Sequence, residues 1–232
     1  MKKGDIRKKE ILDVAESLFC KKGYEKTSIQ DILDLLNASK GSFYHHFPGK
    51  ESLLAEICRK RAEHVYLMTA EKVRNDPDTL SALNSLFSGI MPLCNEKIAF
   101  LLMLLPIFHQ PEGKSVRQAY CEALTGYFIQ DVADLLHRGD REGILFCKEP
   151  EISGQIVLLL LNELWNNISD QIIEAEKQGK EPDLTDMLRR IGQYRLSIEK
   201  ILALPYGSLT LTDIVTLRQV TEQIHSHWPV LC

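Results

Sequence analysis

The chain has 232 residues, of which 44% are hydrophobic and 26% charged, proportions typical of a folded globular protein and not of a disordered one. Its formal net charge of -4 argues against a protein that coats nucleic acid. The charge is unevenly placed, because Lys and Arg outnumber Asp and Glu by 13 to 10 in residues 1–64, whereas the remainder holds 15 against 22.

The first predicted helix covers residues 5–22, with Asp5 as its N-cap and two lysines followed by Gly23 at its end. Its apolar stripe consists of Ile11, Leu12, Ala15, Leu18 and Phe19. A second, shorter helix opens at Thr27, whose hydroxyl is predicted to cap it. It ends at Asn37, a residue type that tolerates the left-handed conformation needed for a sharp turn.

A third helix follows this turn, with Ser39 as its predicted N-cap and a Pro-Gly pair at its end. Phe43 and Phe47 lie four residues apart on it and share a buried face. Two helices joined by such a short turn make a helix-turn-helix, whose second helix fits the DNA major groove. We therefore predict a DNA-binding unit at residues 27–50.

The outward side chains of this unit suit contact with DNA. Positive charge comes from Lys40 and, just beyond the helix, from Lys50, while Gly41 permits close approach of the backbone. Hydroxyl groups and flat polar rings supply hydrogen-bonding groups. The predicted surface consists of Ser39, Lys40, Gly41, Ser42, Tyr44, His45, His46 and Lys50.

The remaining chain contains only helical patterns. Residues 50–74 form a long connecting helix, and the sequence Asn-Asp-Pro-Asp at residues 75–78 is the clearest break. Further patterns lie at residues 78–93, 95–109, 114–138, 150–178, 183–203 and 210–227, without strand alternation. The prediction is an all-α protein with a three-helix DNA-binding domain at 1–50, a connecting helix at 51–74 and a helical second domain at 75–232.

Cysteine and histidine spacing gives no sign of a metal site. No C-x-x-C pair occurs among the six cysteines, which are Cys20, Cys58, Cys94, Cys121, Cys147 and Cys232. His225 and His227 flank a serine, and His109 and His137 stand alone, so no helical His/Glu pairing appears. We expect reduced thiols, no metal and no cofactor.

No segment suggests a membrane or a secreted protein. The longest apolar run, residues 98–108, is too short to cross a bilayer and contains Pro106. The basic N-terminus is not followed by an apolar signal segment. We expect a cytoplasmic protein without a membrane partner.

Residues 98–108, 120–136 and 156–173 are apolar on more than one helical face, which is typical of helices that are fully buried or that line a cavity. A cavity between them would hold a flat or apolar molecule, with Glu163 and two asparagines for polar recognition. The candidate lining residues are Phe100, Met103, Leu104, Phe108, Tyr120, Tyr127, Phe128, Asn162, Trp165 and Asn166. The alternative, that these side chains simply form the core, stays open.

The segments KKGYEKTSIQDIL and SKGSFYHHFPGKESLL resemble the DNA-binding domain of the TetR (tetracycline-repressor) family of transcriptional regulators. The resemblance covers roughly residues 8–59, and REGIL at residues 141–145 is also similar to members of the family. One departure is the pair Asn37-Ala38 in the turn, where many members have Gly-Val. Asn is the usual substitute for Gly at such a position.

The resemblance implies roles for individual residues. Phosphate contacts would come from Thr27, Tyr44, His46 and Lys50, while Lys40, Gly41 and His45 would lie nearest the bases. It also implies a ligand site in the second domain and a homodimer that reads a palindromic operator. The dimer would form through helices 150–178 and 183–203, with the candidate contacts Leu158, Leu161, Trp165, Ile168, Ile172, Leu188, Ile191, Tyr194, Arg195 and Ile198.

Together these features predict a ligand-responsive DNA-binding regulator, a repressor that a small apolar or aromatic molecule releases from its operator. An alternative is a constitutive DNA-binding or architectural protein with a filled core and no inducer. An all-helical enzyme is a third possibility, but the sequence lacks G-x-S-x-G, a Gly-rich phosphate loop and H-E-x-x-H. We therefore predict no enzymatic activity.

Overall fold

A computed structural model describes residues 3–91, 93, 97–108, 110 and 113–231, and the side chains of residue 3 and of residues 229–231 are left aside. The described part of the chain contains ten helices and no strand. The predicted all-α class is therefore confirmed. Of the residues considered above, Cys94, His109 and Cys232 lie outside the described part.

Three helices form the N-terminal unit, and a long fourth helix leads away from it. They are α1 (Lys3–Lys22), α2 (Ile29–Leu36), α3 (Lys40–Tyr44) and α4 (Lys50–Arg74). We call residues 3–49 the head. Helix α1 begins before Asp5, which lies in its first turn, so the prediction of Asp5 as N-cap is wrong. An acidic side chain in that turn still interacts favourably with the free backbone N–H groups.

Six helices follow, and we call residues 75–231 the body. They are α5 (Thr79–Ile90), α6 (Ile98–Phe108), α7 (Gly113–Arg141), α8 (Pro150–Lys177), α9 (Leu184–Ile201) and α10 (Ile214–Leu231). Each matches a predicted helical pattern to within a few residues. The described helices contain no stretch long and apolar enough to cross a membrane.

The head is held by one apolar cluster. The stripe of α1 packs against Ile32 and Leu33 of α2 and against Phe43 of α3, and all three side chains are fully or almost fully buried. Phe47, in the turn after α3, is also buried, as the sequence predicts. Large apolar side chains are buried on all three helices of the head, and the same cluster continues into α4 and the body.

Helix α4 connects the head to the body through aromatic contacts. It packs along α7, where the Tyr66 ring stacks on Tyr127 with centroids 5.7 Å apart and meets Phe128 edge-on at 5.3 Å. Aromatic pairs in these geometries stabilise contacts beyond simple area burial. The division into a head, a connecting helix and a body remains our proposal for the domain organisation.

The C-terminal segment is an integral part of the body. Helix α10 packs mainly against α6 and also touches α8 and α9. The buried carboxylate of Glu199 accepts hydrogen bonds from the backbone N–H groups of Gly207 (3.1 Å) and Leu209 (3.0 Å), which fixes the loop before α10. Sequence patterns alone indicate no role for this segment, whereas in the structure it covers one side of α6.

Helices α8 and α9 turn their most apolar residues inward. Leu158, Leu161, Trp165, Ile168, Ile172, Ile191 and Ile198 are all buried within the single chain. They cannot also form the surface of a dimer without unfolding this core, so that part of the prediction is wrong. The exposed apolar residues of α8 are Ile152, Ile156 and Leu159, which lie on a different face.

Candidate functional site: a helix-turn-helix surface and a groove in the body

Helix α2 is capped by Ser28, not by Thr27 as predicted. The Ser28 Oγ accepts a hydrogen bond from the Asp31 backbone N–H (3.1 Å), and the Asp31 carboxylate accepts one from the Ser28 N–H (2.7 Å). This reciprocal arrangement satisfies N–H groups that a helix start leaves without partners. The hydrogen bonds from Ser28 also hold the pKa of Asp31 below its usual value. The helix simply begins one residue later than the pattern suggests.

The turn between α2 and α3 is built as the sequence predicts. Asn37 adopts the left-handed conformation with φ of 47°, and the Ala38 N–H donates to the Leu33 carbonyl oxygen at 2.9 Å. Ser39 then caps α3, and its Oγ accepts a hydrogen bond from the Ser42 N–H at 3.3 Å. Local hydrogen bonds therefore fix the angle at which α3 leaves the turn.

Helix α3, which we call the reading helix, presents one face to solvent. Lys40, Gly41, Tyr44 and His45 are exposed, and the Tyr44 side chain is 54% accessible. The opposite face carries Phe43, which is fully buried. This division follows from helical periodicity and matches what a helix in the major groove requires.

The reading helix is shorter than predicted. It ends at Tyr44, so His45 and His46 lie in the turn that follows and not within the helix. Ser42 and His46 are half-buried and border the exposed face. The exposed surface is therefore one helical turn with a histidine pair at its end.

The pair of histidines lies against α1. The His45 and His46 rings have centroids 4.9 Å apart. Desolvation of the half-buried His46 lowers its pKa below the usual value, and the neighbouring His45 and Lys8 lower it further, whereas Asp5 opposes them. At neutral pH the His46 ring is therefore neutral in the free protein.

Two of the predicted DNA contacts are engaged inside the head. The Thr27 side chain is fully buried, and its hydroxyl donates to the Gly23 carbonyl oxygen at 2.8 Å. Lys50 Nζ donates to the carbonyl oxygens of Tyr24 (2.9 Å) and Thr27 (3.2 Å) and lies 4.1 Å from the centroid of the Tyr24 ring. The structure corrects the prediction for Thr27, which holds the turn between α1 and α2. Lys50 ties the start of α4 to that same turn.

The body contains a groove of about 630 Å³ between α7 and α8. Side chains spaced three or four residues apart on each helix form its walls, as expected where two helix faces diverge. Its lining residues are Lys114, Arg117, Gln118, Cys121, Glu122, Thr125, Gly126, Leu159, Asn162 and Asn166. We call this feature the groove.

Most of the predicted cavity residues lie outside the groove walls. Only Asn162 and Asn166 are shared with the groove. Seven of the other predicted residues are instead buried in the core. There the Phe100 ring packs against Tyr120, with centroids 5.5 Å apart, and the Phe108 ring packs against Trp165 at 6.4 Å. The buried set is Phe100, Met103, Leu104, Phe108, Tyr120, Phe128 and Trp165, while Tyr127 is half-buried against Tyr66. The structure therefore favours the core interpretation for these side chains.

Most lining residues of the groove are polar, but the surface that they expose to it is mainly apolar. Asn162 Nδ2 donates to Thr125 Oγ1 at 3.0 Å, and the buried Oδ1 of Asn166 has no hydrogen-bond partner in the described structure. Arg117 donates to the Asp170 carboxylate at 2.7 Å. Burial raises the pKa of the Cys121 thiol to about 11, so this side chain stays protonated and unreactive at neutral pH.

Sequence reasoning missed the α7 wall. Lys114, Gln118, Glu122 and Thr125 are polar residues on a long helix, and the sequence analysis assigned them no role. Their spacing at intervals of three or four, ending beside Gly126, was a usable signal, but only the position of α8 turns that face into a wall.

Among the residues that the structure describes, no group of three His, Cys, Asp or Glu side chains lies close enough together to hold a metal ion. Cys20, Cys58, Cys121 and Cys147 are free thiols. His137 contacts Glu151 at 2.9 Å and His225 contacts Glu176 at 3.0 Å, both as isolated pairs.

These features define a class: an all-helical protein with a helix-turn-helix head and a larger helical body. The model for bacterial regulatory proteins of the tetR family matches residues 11–57. The HTH-type transcriptional repressor KstR2 of Mycobacterium tuberculosis is 31% identical over 161 residues, which cover 68% of this chain and 76% of that protein. Its namesake in Rhodococcus jostii is 36% identical over 80 residues, or 34% of this chain and 39% of that protein.

A solved structure shows that the likeness extends to the body. A putative TetR-family transcriptional regulator from Mesorhizobium loti aligns with 88% of this chain and 98% of its own, with a TM-score of 0.56 and 18% sequence identity. At this identity the comparison concerns the fold alone. The chain belongs to the TetR family of bacterial transcriptional regulators and is a DNA-binding protein.

Proposed function

We propose that this protein is a homodimeric repressor that reads a palindromic operator and leaves it when a small molecule occupies the body. The observation that carries the proposal is the solvent-facing turn of the reading helix, with Lys40, Gly41, Tyr44 and His45 exposed above a buried Phe43. Cationic, aromatic and backbone groups on such a turn are suited to phosphate and base-edge contacts. The names of the M. tuberculosis and R. jostii relatives support repression.

Each exposed residue has a proposed role. Lys40, Gly41 and His45 would lie nearest the bases, with Tyr44 and His46 on phosphates. Ser39 and Ser42 would add hydroxyl contacts at the edge of the DNA major groove. Lys50 remains a candidate for a phosphate, but in the free protein its ammonium group is bound to two carbonyl oxygens, so its first role is to position the head.

A dimer fits the small size of the reading surface. One five-residue helix contacts few base pairs, and two copies about 34–36 Å apart would meet successive turns of the major groove. The exposed apolar residues Ile152 and Ile156 of α8 support a contact through that helix. We propose a cytoplasmic location for this regulator and no catalytic activity.

The groove is the proposed effector site. Its mainly apolar surface, together with the amide and charged groups at its walls, suits a small molecule with an apolar body and a few polar groups. The unpartnered Asn166 Oδ1 supports this because it can accept a hydrogen bond from a bound ligand.

The test is binding of the full chain to the DNA upstream of its own gene, measured by fluorescence anisotropy at two salt concentrations with a scrambled duplex as control. We expect nanomolar affinity for the upstream DNA and at least about a thousandfold weaker binding to the scrambled one. Equal affinity for both duplexes would contradict the proposal and would favour a constitutive architectural protein. The specific complex then serves to screen small molecules for release.

A further inference from the structure

The first half of α8 carries an exposed apolar face that leads into the groove. Ile152 and Ile156 lie on successive turns of the helix, and both side chains are exposed. Leu159 follows one turn later on the same face, because residues three or four apart on a helix are neighbours. Leu159 is also a lining residue of the groove. The exposed apolar face therefore ends at the groove wall.

Further exposed apolar side chains lie at the same end of the body. The Phe146 N–H donates to the Leu202 carbonyl oxygen at 3.1 Å, which attaches the loop before α8 to the end of α9. Phe146 and Ile201 are both exposed there. We call Phe146, Ile152, Ile156 and Ile201 the apolar patch. Clustered apolar side chains on a protein surface are typical of a contact with another protein.

The second half of α8 has a different character. Its exposed residues include Glu163, Asp170 and Glu174. In a two-fold dimer each surface patch meets the same patch of the other copy. The acidic half would then repel its own copy, whereas the apolar patch is complementary to itself. A two-fold contact is therefore favoured at the first half of α8.

Two hydrogen bonds across the groove show how its ends are oriented. Arg117 donates to the Asp170 carboxylate at 2.7 Å, and Asn162 donates to Thr125 Oγ1 at 3.0 Å. Since the later residue of α7 pairs with the earlier residue of α8, the two helices run antiparallel. The Lys114 end of the groove therefore lies beside the acidic half of α8.

The opposite end of the groove lies beside the apolar patch. Gly126 and Leu159 form this end, and Gly126 follows Lys114 by twelve residues, or about 18 Å of helix. The groove of a single chain is open to solvent. Ligand sites usually bury about 70–90% of their ligand, so this groove lacks a wall.

We propose that the apolar patch of a second copy covers the Leu159 end of the groove, so that the effector site is complete only in the dimer. This proposal rests on the proposed function and specifies the composition of its effector site. The Lys114 end stays open and serves as the entrance. An effector then has its apolar body beneath the second copy and its polar groups at the entrance.

The experiment measures how accessible each end of the groove is, without DNA and without an effector. A Cβ on Gly126 would meet no atom within 4 Å, so Gly126→Cys places a thiol at the covered end without a clash. Its reaction rate with N-ethylmaleimide is measured by peptide mass spectrometry in the full chain. The same reporter is placed in an Ile156→Glu background, in which two buried carboxylates would separate the copies. We expect labelling about tenfold slower in the dimer than in the Ile156→Glu monomer.

A second reporter in the same groove is the matched control. Lys114→Cys places a thiol at the exposed entrance and should react at the same rate in the dimer and in the monomer. Ile156 is exposed in the single chain, so glutamate should leave the fold intact, which circular dichroism checks. Ile152→Glu replaces it if that variant unfolds. Analytical ultracentrifugation gives the oligomeric state of each protein.

The outcomes separate this proposal from the proposed function. Equal labelling of Gly126→Cys in dimer and monomer would overturn it, as would a dimer that persists with both glutamate substitutions. Slower labelling of Lys114→Cys in the dimer would show that no entrance remains at that end and would also contradict it. Failure of the wild-type chain to distinguish operator from scrambled DNA would instead refute the proposed function, and the labelling result would still stand.

Discussion

The head and the groove differ in what places their functional residues. In the head, the Ser28 and Ser39 caps and the left-handed Asn37 lie within a few residues of the surface that they orient. In the groove, Asn162 faces Thr125, 37 residues away in the chain, only because the consecutive helices α7 and α8 are packed side by side. Local hydrogen bonds therefore define the DNA-binding surface, whereas tertiary packing defines the groove.

The difference predicts that aromatic substitutions in the body act mainly on stability. Phe128 is fully buried beside Tyr66, so Phe128→Ala should lower the free energy of unfolding by about 3–5 kcal/mol through loss of contacts and a residual cavity. Asn162→Ala, in the groove wall, should lower it by less than about 1.5 kcal/mol. Denaturant unfolding measures both. An equally small loss of unfolding free energy in both variants would show that Phe128 lines an open cavity and is not part of the core.

The reading helix should show the opposite behaviour, with large effects on DNA and little on folding. Lys40→Ala should weaken operator binding by about 1–3 kcal/mol and relax the preference at one base position. Its stability should change by less than about 0.5 kcal/mol because the side chain is exposed. Lys72→Ala, an exposed lysine in the last turn of α4, is the matched control. An equal loss of affinity for all DNA sequences would show that Lys40 contacts a phosphate and not a base.

The caps should affect the head alone. Ser28→Ala removes the acceptor for the Asp31 N–H and should lower the opening free energy of α2 by about 1 kcal/mol, measured by hydrogen exchange of its amides. Ser17→Ala, on an exposed position of α1, should change it little. An unchanged exchange rate in α2 of the Ser28 variant would show that tertiary contacts, and not the cap, hold this helix.

The smallest expected effect is on pH dependence. The groups facing His46 are His45 in the same turn and Lys8 and Asp5 of α1, and its pKa in the free protein lies below the usual value. A DNA phosphate would favour the protonated ring, so operator affinity should rise severalfold as the pH falls from about 7.5 to 6.

The same pKa shift has the opposite consequence for stability. The unfolded chain binds a proton at His46 more readily than the folded head does, so the head loses stability as the pH falls through the usual histidine value of about 6.5. His46→Gln should flatten both profiles, measured by anisotropy and by denaturant unfolding across this range. Unchanged profiles in this variant would assign the pH dependence to another group.

The sequence was most informative where residues act on their neighbours. The Asn37 turn, the Ser39 cap and the buried pair Phe43 and Phe47 are local patterns and were predicted correctly. The helices were located to within a few residues, although the reading helix ends earlier than predicted. Thr27 was missed although its partner, the Gly23 carbonyl oxygen, lies only four residues earlier in the chain. Lys50 was harder because its partners, the carbonyl oxygens of Tyr24 and Thr27, come within reach only when α4 meets the head. Helical periodicity alone cannot distinguish an aromatic side chain of the core from one that lines a cavity. The predicted cavity residues therefore proved to be core, and the groove lies between other side chains.

We propose that two copies of the head together read the base sequence of an operator. The most direct test is selection of binding sites from random duplex DNA by the purified full-length chain, followed by sequencing. We expect one enriched palindrome with half-site centres about 10–10.5 base pairs apart, or a multiple of this spacing. Recovery of DNA without a shared motif would contradict sequence reading and would leave a DNA-binding protein without an operator.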